Sequence, residues 1–291
     1  MKKGILVTLM LLLNSTNVFS CDQHGTAGIV EDNNLWIGTD AKSVSTVDEK
    51  TFNKILDDVV AIYAPIIAEK GKTLDMIRKW DDGTVNAYAQ QTGNTWKVSM
   101  FGGLARHETI TADAFALVAC HELGHHLGGF PKKSSWWGSS WASNEGQADY
   151  FGNMKCFRKY AESDDNIAVV ESMNIDATAT KACKANFANA EDVAVCQRGA
   201  MAGLSLGNLF RALRRLETPL KFETPDPKVV TATNHNHPAP QCRLDTYFAG
   251  AICDKDAYTD VSDSNAATGV CTRSNEYSKG IRPLCWYKPA N

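Results

Sequence analysis

The chain has 291 residues, 44% of them apolar, and a formal charge of −3. That content builds an ordinary core, and the length allows one large domain or two small ones. The charges are well mixed, so neither a basic nucleic-acid footprint nor a charged interaction tail is present, and no nucleic-acid partner is expected.

Residues 1–20 read as a signal peptide. Lys2 and Lys3 precede the apolar run GILVTLMLLL, which is too short to span a bilayer well. The polar NSTNVFS follows, with Val18 and Ser20 at the minus-three and minus-one positions before Cys21. No later stretch approaches the ~20 apolar residues of a membrane helix. The expectation is an exported protein, periplasmic, outer-membrane-associated or secreted. Cys21 would be its first mature residue and a candidate lipid anchor, although Phe19 is large for a lipoprotein box. There are nine cysteines. Without Cys21 an even set remains (120, 156, 183, 196, 242, 253, 271 and 285), which in an exported chain fits up to four disulfides.

STVDEKTFNKILDDVVAIYAPIIAEKG reads as a helix capped by Ser45 and Asp48. Its apolar stripe is Phe52, Ile55, Leu56, Val59, Val60 and Tyr63; Pro65 should kink it and Gly71 end it. TLDMIRKW, TVNAYAQQ and TWKVSMFG are alternating segments separated by glycine turns, which predicts an antiparallel meander. A second helix begins near Thr111, favoured by Asp113 and stopped by Gly128, Gly129 and Pro131. KKSSWWGSSW reads as a loop whose Trp136, Trp137 and Trp141 either pack on the body or form a lid. SNEGQADYFGNMKCFRKYAE and AEDVAVCQRGAMAGLSLGNLFRALRRLETP read as the third and fourth helices. A Pro-rich segment leads to a short helix, RLDTYFAGAI, and a disulfide-tied tail. The organisation expected is a signal peptide at 1–20, one domain over 21–250 and a Cys-rich tail over 251–291 packed on it.

The second helix contains CHELGHHLGG, residues 120–129. Residues four apart on a helix share a face, so His121 and His125 can point at one ion. Glu122 lies beside the first ligand, placed to act as general base on a metal-activated water. A catalytic zinc takes three protein ligands and a water. Glu145, near the start of the next helix, is the favoured third ligand. Asp149, four residues on, would accept the free N–H of a ligand histidine and fix its tautomer. Rivals for the third position are Asp149 itself and His107, which precedes the helix. His126 points about 100° away from His125 and should be structural or on the surface. Cys156 is eleven residues past Glu145, about 16 Å along a helix, so a Cys120–Cys156 disulfide is not expected.

These motifs resemble a known group. VNAYAQQTGNTWKVSMFGGLARHETITADAFALVACHELGHHLG, then NEGQADYFG, then His237-Pro238 and Arg243 are similar in content and order to the gluzincin zinc metallopeptidases that include HtpX, the CAAX prenyl proteases and BepA. The likeness covers about residues 84–250 and is to the soluble, exported branch. It implies an α+β zincin fold with a small antiparallel sheet, an active-site helix and a ligand helix. It implies Zn2+ held by His121, His125 and Glu145, Glu122 as base, and His237 and Arg243 near the substrate and its oxyanion; the alternative for Arg243 is bracing a carboxylate. It also implies a polypeptide substrate added as a strand along Trp96–Met100. Gln147 stands where that family often has an acidic residue. The function expected is a zinc endopeptidase acting on unfolded or damaged envelope proteins. The alternatives are a chaperone-like envelope binder with little turnover, and a secreted effector or peptidoglycan-peptide hydrolase.

Overall fold

The computed structural model describes residues 28–42, 45–135 and 138–290. The expected signal peptide, Cys21, Trp136 and Trp137 lie outside these residues. Helix α1 (Glu49–Glu69) starts where the Asp48 side chain accepts a hydrogen bond from the Thr51 amide, satisfying a donor that a helix start leaves open. Its stripe of Phe52, Ile55, Leu56, Val59, Tyr63 and Ile67 is buried, and Pro65 sits within the helix.

Strands β1 (Thr73–Lys79), β2 (Ala87–Thr92) and β3 (Thr95–Phe101) form a sheet in the order β1-β3-β2. β2 and β3 make the expected hairpin, turning through Gly93 at φ +59°. β1 runs parallel to β3 along its whole length, so the sheet is mixed and the expected antiparallel meander is corrected. The cause lies in the connection over 80–86. Arg106, which follows the short helix α2 (Gly102–Ala105), donates to the carbonyls of Ile37, Trp80 and Asp82. The Gly103 and Leu104 amides donate to the carbonyls of Asp82 and Thr84. The connection is thus fastened across the end of the sheet and delivers β2 to the far side of β3. β3 is consequently the central strand. Trp96–Met100 pairs with β1 on one side and β2 on the other, so it is not the open edge expected for an added peptide.

Helix α3 (Ala112–Leu127) is capped by the Thr111 side chain. It is buried on every face from Ala114 to His126, as befits a helix at the centre of a molecule. α1 covers one side, where the Phe52 and Phe115 ring centroids lie 4.9 Å apart. The stretch expected as a loop is a hairpin of β4 (Lys132–Ser135) and β5 (Gly138–Ser143). Helix α4 (Glu145–Phe151) continues through a π-helical segment, Gly152–Phe157, into α5 (Arg158–Ala161). Among the described residues the remaining α-helices are α6 (Asn166–Glu171), α7 (Ala177–Asn186), α8 (Ala190–Leu213) and α9 (Pro240–Ile252). The whole is a helix-rich α+β structure with two small sheets.

All eight cysteines beyond Cys21 are paired: Cys120–Cys156, Cys183–Cys196, Cys242–Cys285 and Cys253–Cys271. The first pair corrects the sequence expectation. α4 and its π-helical extension run antiparallel to α3, so each residue beyond Glu145 leads back toward Cys120. The backbones touch closely: a Cβ on Gly124 would lie 2.9 Å from the Ala148 carbonyl, and one on Gly152 3.5 Å from Cys120. Cys156 follows one turn later, with its Cα 5.4 Å from that of Cys120. This bond spans a sequence separation of 36. Replacing Cys120 and Cys156 together by Ala should lower the unfolding free energy by about 3–4 kcal/mol on the chain-entropy model, read by denaturant titration.

Candidate metal centre

Asn144 caps α4 by accepting the Gln147 amide at 2.9 Å, which sets Glu145 as the first helical residue. Glu145 then faces α3. His121 Nε2 lies 3.1 Å from His125 Nε2 and 3.3 Å from Glu145 Oε2, and His125 Nε2 lies 3.8 Å from the same oxygen. Three atoms bound tetrahedrally at zinc distances would lie about 3.3–3.4 Å apart. The three residues are a buried His-His-Glu group whose ligand atoms converge tightly enough to hold one ion.

Both imidazoles are aimed by their other nitrogen. His121 Nδ1 lies 2.7 Å from Asp149 Oδ1, and His125 Nδ1 lies 2.8 Å from the Ser143 carbonyl. With Nδ1–H donated outward, each Nε2 faces the centre and offers its lone pair there once it carries no proton. Asp149 is thereby the orienting carboxylate and not a ligand. Its other partner is Arg243, whose Nε and Nη2 donate to its two oxygens at 2.8 and 2.7 Å. Arg243 Nη1 donates to the Ile29 carbonyl at 2.5 Å. The guanidinium therefore braces Asp149 through two of its nitrogens and reaches a backbone carbonyl with the third.

The electrostatics follow from burial and these pairs. Burial works against a charge on Asp149, but Arg243 outweighs it and holds the carboxyl at about 2. Burial also opposes a proton on His121, yet Asp149, Glu145 and Glu122 together lift it to about 9. Burial lowers His125 to about 3. Glu145 is pushed up by burial and pulled further down by His237, Lys133 and His125, so it stays well below the usual carboxylate range. Glu122 is raised to about 7, chiefly by burial. Both its carboxylate oxygens are buried without a hydrogen-bond partner among the described residues, which a water or ligand in the centre would supply.

His237 arrives from the segment before α9, with Nε2 3.2 Å from Glu145 Oε2. Lys133, in β4, places Nζ 2.9 Å from Glu145 Oε1, opposite the oxygen that faces the histidines. Sequence reasoning missed Lys133; a lysine in an apparent loop carries no spacing that marks it. The structure thus brings together His121, Glu122, His125, Glu145, Asp149, His237 and Arg243. His107 is elsewhere, its Nδ1 on Thr109. His126 points away, stacked between Trp96 and Trp141 with centroids at 5.0 and 4.7 Å. Trp141 is therefore packed on the body. No family model, curated protein or solved structure matches this chain.

Asp149→Asn keeps the shape but loses the charge that aims His121. It should weaken metal affinity about 10- to 100-fold, measured by chelator competition, with His126→Phe as a control that leaves affinity in place.

Proposed function

We propose that this chain is an exported zinc-dependent endopeptidase with a zincin arrangement of sheet, active-site helix α3 and ligand helix α4. The observation that carries the reading is a three-ligand group beside an unpartnered buried carboxylate. Structural zinc sites close with four protein ligands, whereas catalytic ones keep a position open. Here three ligand atoms converge, and both carboxylate oxygens of the adjacent Glu122 are buried without a hydrogen-bond partner among the described residues.

Bound zinc would supply Lewis acidity and lower the pKa of a water in the open position. Glu122, buried beside the ligand histidines with both oxygens unpartnered among the described residues, suits taking a proton from the attacking water and returning it to the leaving amine. His237, beside Glu145, can donate to charge developing on the scissile carbonyl. Arg243 and Asp149 act through His121 as positioning residues. Lys133 holds Glu145 by one oxygen and leaves the other for the ion.

The resemblance to the HtpX, CAAX prenyl protease and BepA group supports the same assignment. The four disulfides suit an oxidising, exported setting. Among the described residues no helix is long and apolar enough to cross a membrane. On this reading the substrates are unfolded or damaged polypeptides of the cell envelope.

The test is metal analysis and hydrolysis of an unfolded protein by wild type, Glu122→Gln and His121→Ala. Wild type should bind about one zinc and cleave. Glu122→Gln should keep the metal and lose about 10²- to 10⁴-fold in rate, and His121→Ala should lose the metal. Wild type without stoichiometric zinc, or Glu122→Gln as active as wild type, overturns the mechanism.

A further inference from the structure

The outer side of β2 already carries a piece of chain. The Ile29 amide donates to the Ala87 carbonyl at 3.0 Å. Val30 is gripped by the Asn86 side chain, which accepts from its amide at 3.3 Å and donates to its carbonyl at 3.2 Å. The Gly28 carbonyl accepts from His237 Nε2 at 2.8 Å, and the Ile29 carbonyl accepts from Arg243 Nη1. Three consecutive residues, which run as a bend, are thus held through their backbone groups by one carbonyl of β2, by the Asn86 side chain and by two side chains of the candidate centre. The nitrogen that binds the Gly28 carbonyl is the one 3.2 Å from the metal-facing oxygen of Glu145.

This is how a strand-binding protein holds a peptide: backbone bonds along a sheet edge provide affinity, and local space selects the side chains. The space here is selective. At Gly28 φ is +92°, and a Cβ would lie 2.3 Å from the Ala87 carbonyl and 2.4 Å from Asn86 Oδ1. Both the backbone conformation and the walls admit glycine alone. One residue on, Ile29 is enclosed completely.

Resting on the peptidase reading, we propose that the β2 edge formed by Asn86 and Ala87, together with His237 and Arg243, is the peptide-binding site. It takes a bent segment with glycine where the carbonyl meets His237 and an apolar residue next. Gly28-Ile29-Val30 is its resident occupant, so the chain restrains its own activity until that segment is displaced. This moves the substrate strand from β3 to β2, the flank of the hairpin that the fold leaves outermost.

The test uses the full-length, zinc-loaded protein and two substitutions confined to the occupant. Gly28→Val introduces the clash, and Val30→Pro removes the amide that Asn86 accepts. Each should keep the wild-type zinc content and melting profile and cleave an unfolded polypeptide about tenfold faster or more, since the occluded fraction becomes available. An acetylated peptide of sequence GIVED should inhibit the displaced variants, and the same peptide with valine for its glycine should not. If wild type cleaves and both variants cleave no faster, the inference falls while the peptidase reading stands. Variants that unfold or lose zinc show the segment to be indispensable core and overturn the inference equally. If all three proteins bind zinc and none cleaves, both readings fall.

Discussion

The interaction on which the centre depends is the paired grip on Asp149. A carboxylate with no solvent exposure costs several kcal/mol unless its charge is matched. Arg243 matches it with two parallel hydrogen bonds, the strongest form such a pair takes. Only because that anion is tolerated can it orient His121, and only then can two helices present their nitrogens and Glu145 to a single point. The same guanidinium reaches the Ile29 carbonyl. One arginine therefore ties α9, α4 and the start of the described chain into one unit, and a Phe210 ring 3.8 Å away shields it.

A second constraint is the closeness of α3 and α4. Small residues face each other along the crossing, so the ligand groups sit on backbones that hardly have room to shift. Rigid elements of this kind hold ligand geometry better than loops do. The Cys120–Cys156 bond secures the far end of the same crossing.

What could be read from the sequence was what local periodicity encodes. His121, Glu122 and His125 are legible because a helix turns their spacing into a shared face. Glu145 and Asp149 are legible for the same reason, and His126 is correctly turned away, though its stacking partners are not. His237 and Arg243 are reached through the order of motifs rather than through spacing, and the choice between two roles for Arg243 needs its partners in view. The parallel β1 depends on Arg106 reaching three carbonyls far off in sequence, which no window can display. The β4–β5 hairpin is rich in serine and has no apolar alternation. Lys133 stands out only once that hairpin lies against Glu145. A Cys120–Cys156 bond looks too long when distance is counted along one helix, because direction, and not length, brings the two sulfurs together.

The tail has a consequence for the order in which the protein can be completed. Trp286 is fully enclosed, and its ring lies so close to the ligand helix that a Cβ on Gly146 would come within 2.3 Å of it. The neighbouring Cys285 is bonded to Cys242, the residue before Arg243. A ribosome adds Trp286 long after Gly146, and domains assemble as their residues emerge. The residue after Glu145 therefore stays uncovered until Trp286 has been made. The bond that pins the cover in place then needs oxidising surroundings. Completion of the cover over the centre is in this way coupled to oxidation as well as to folding.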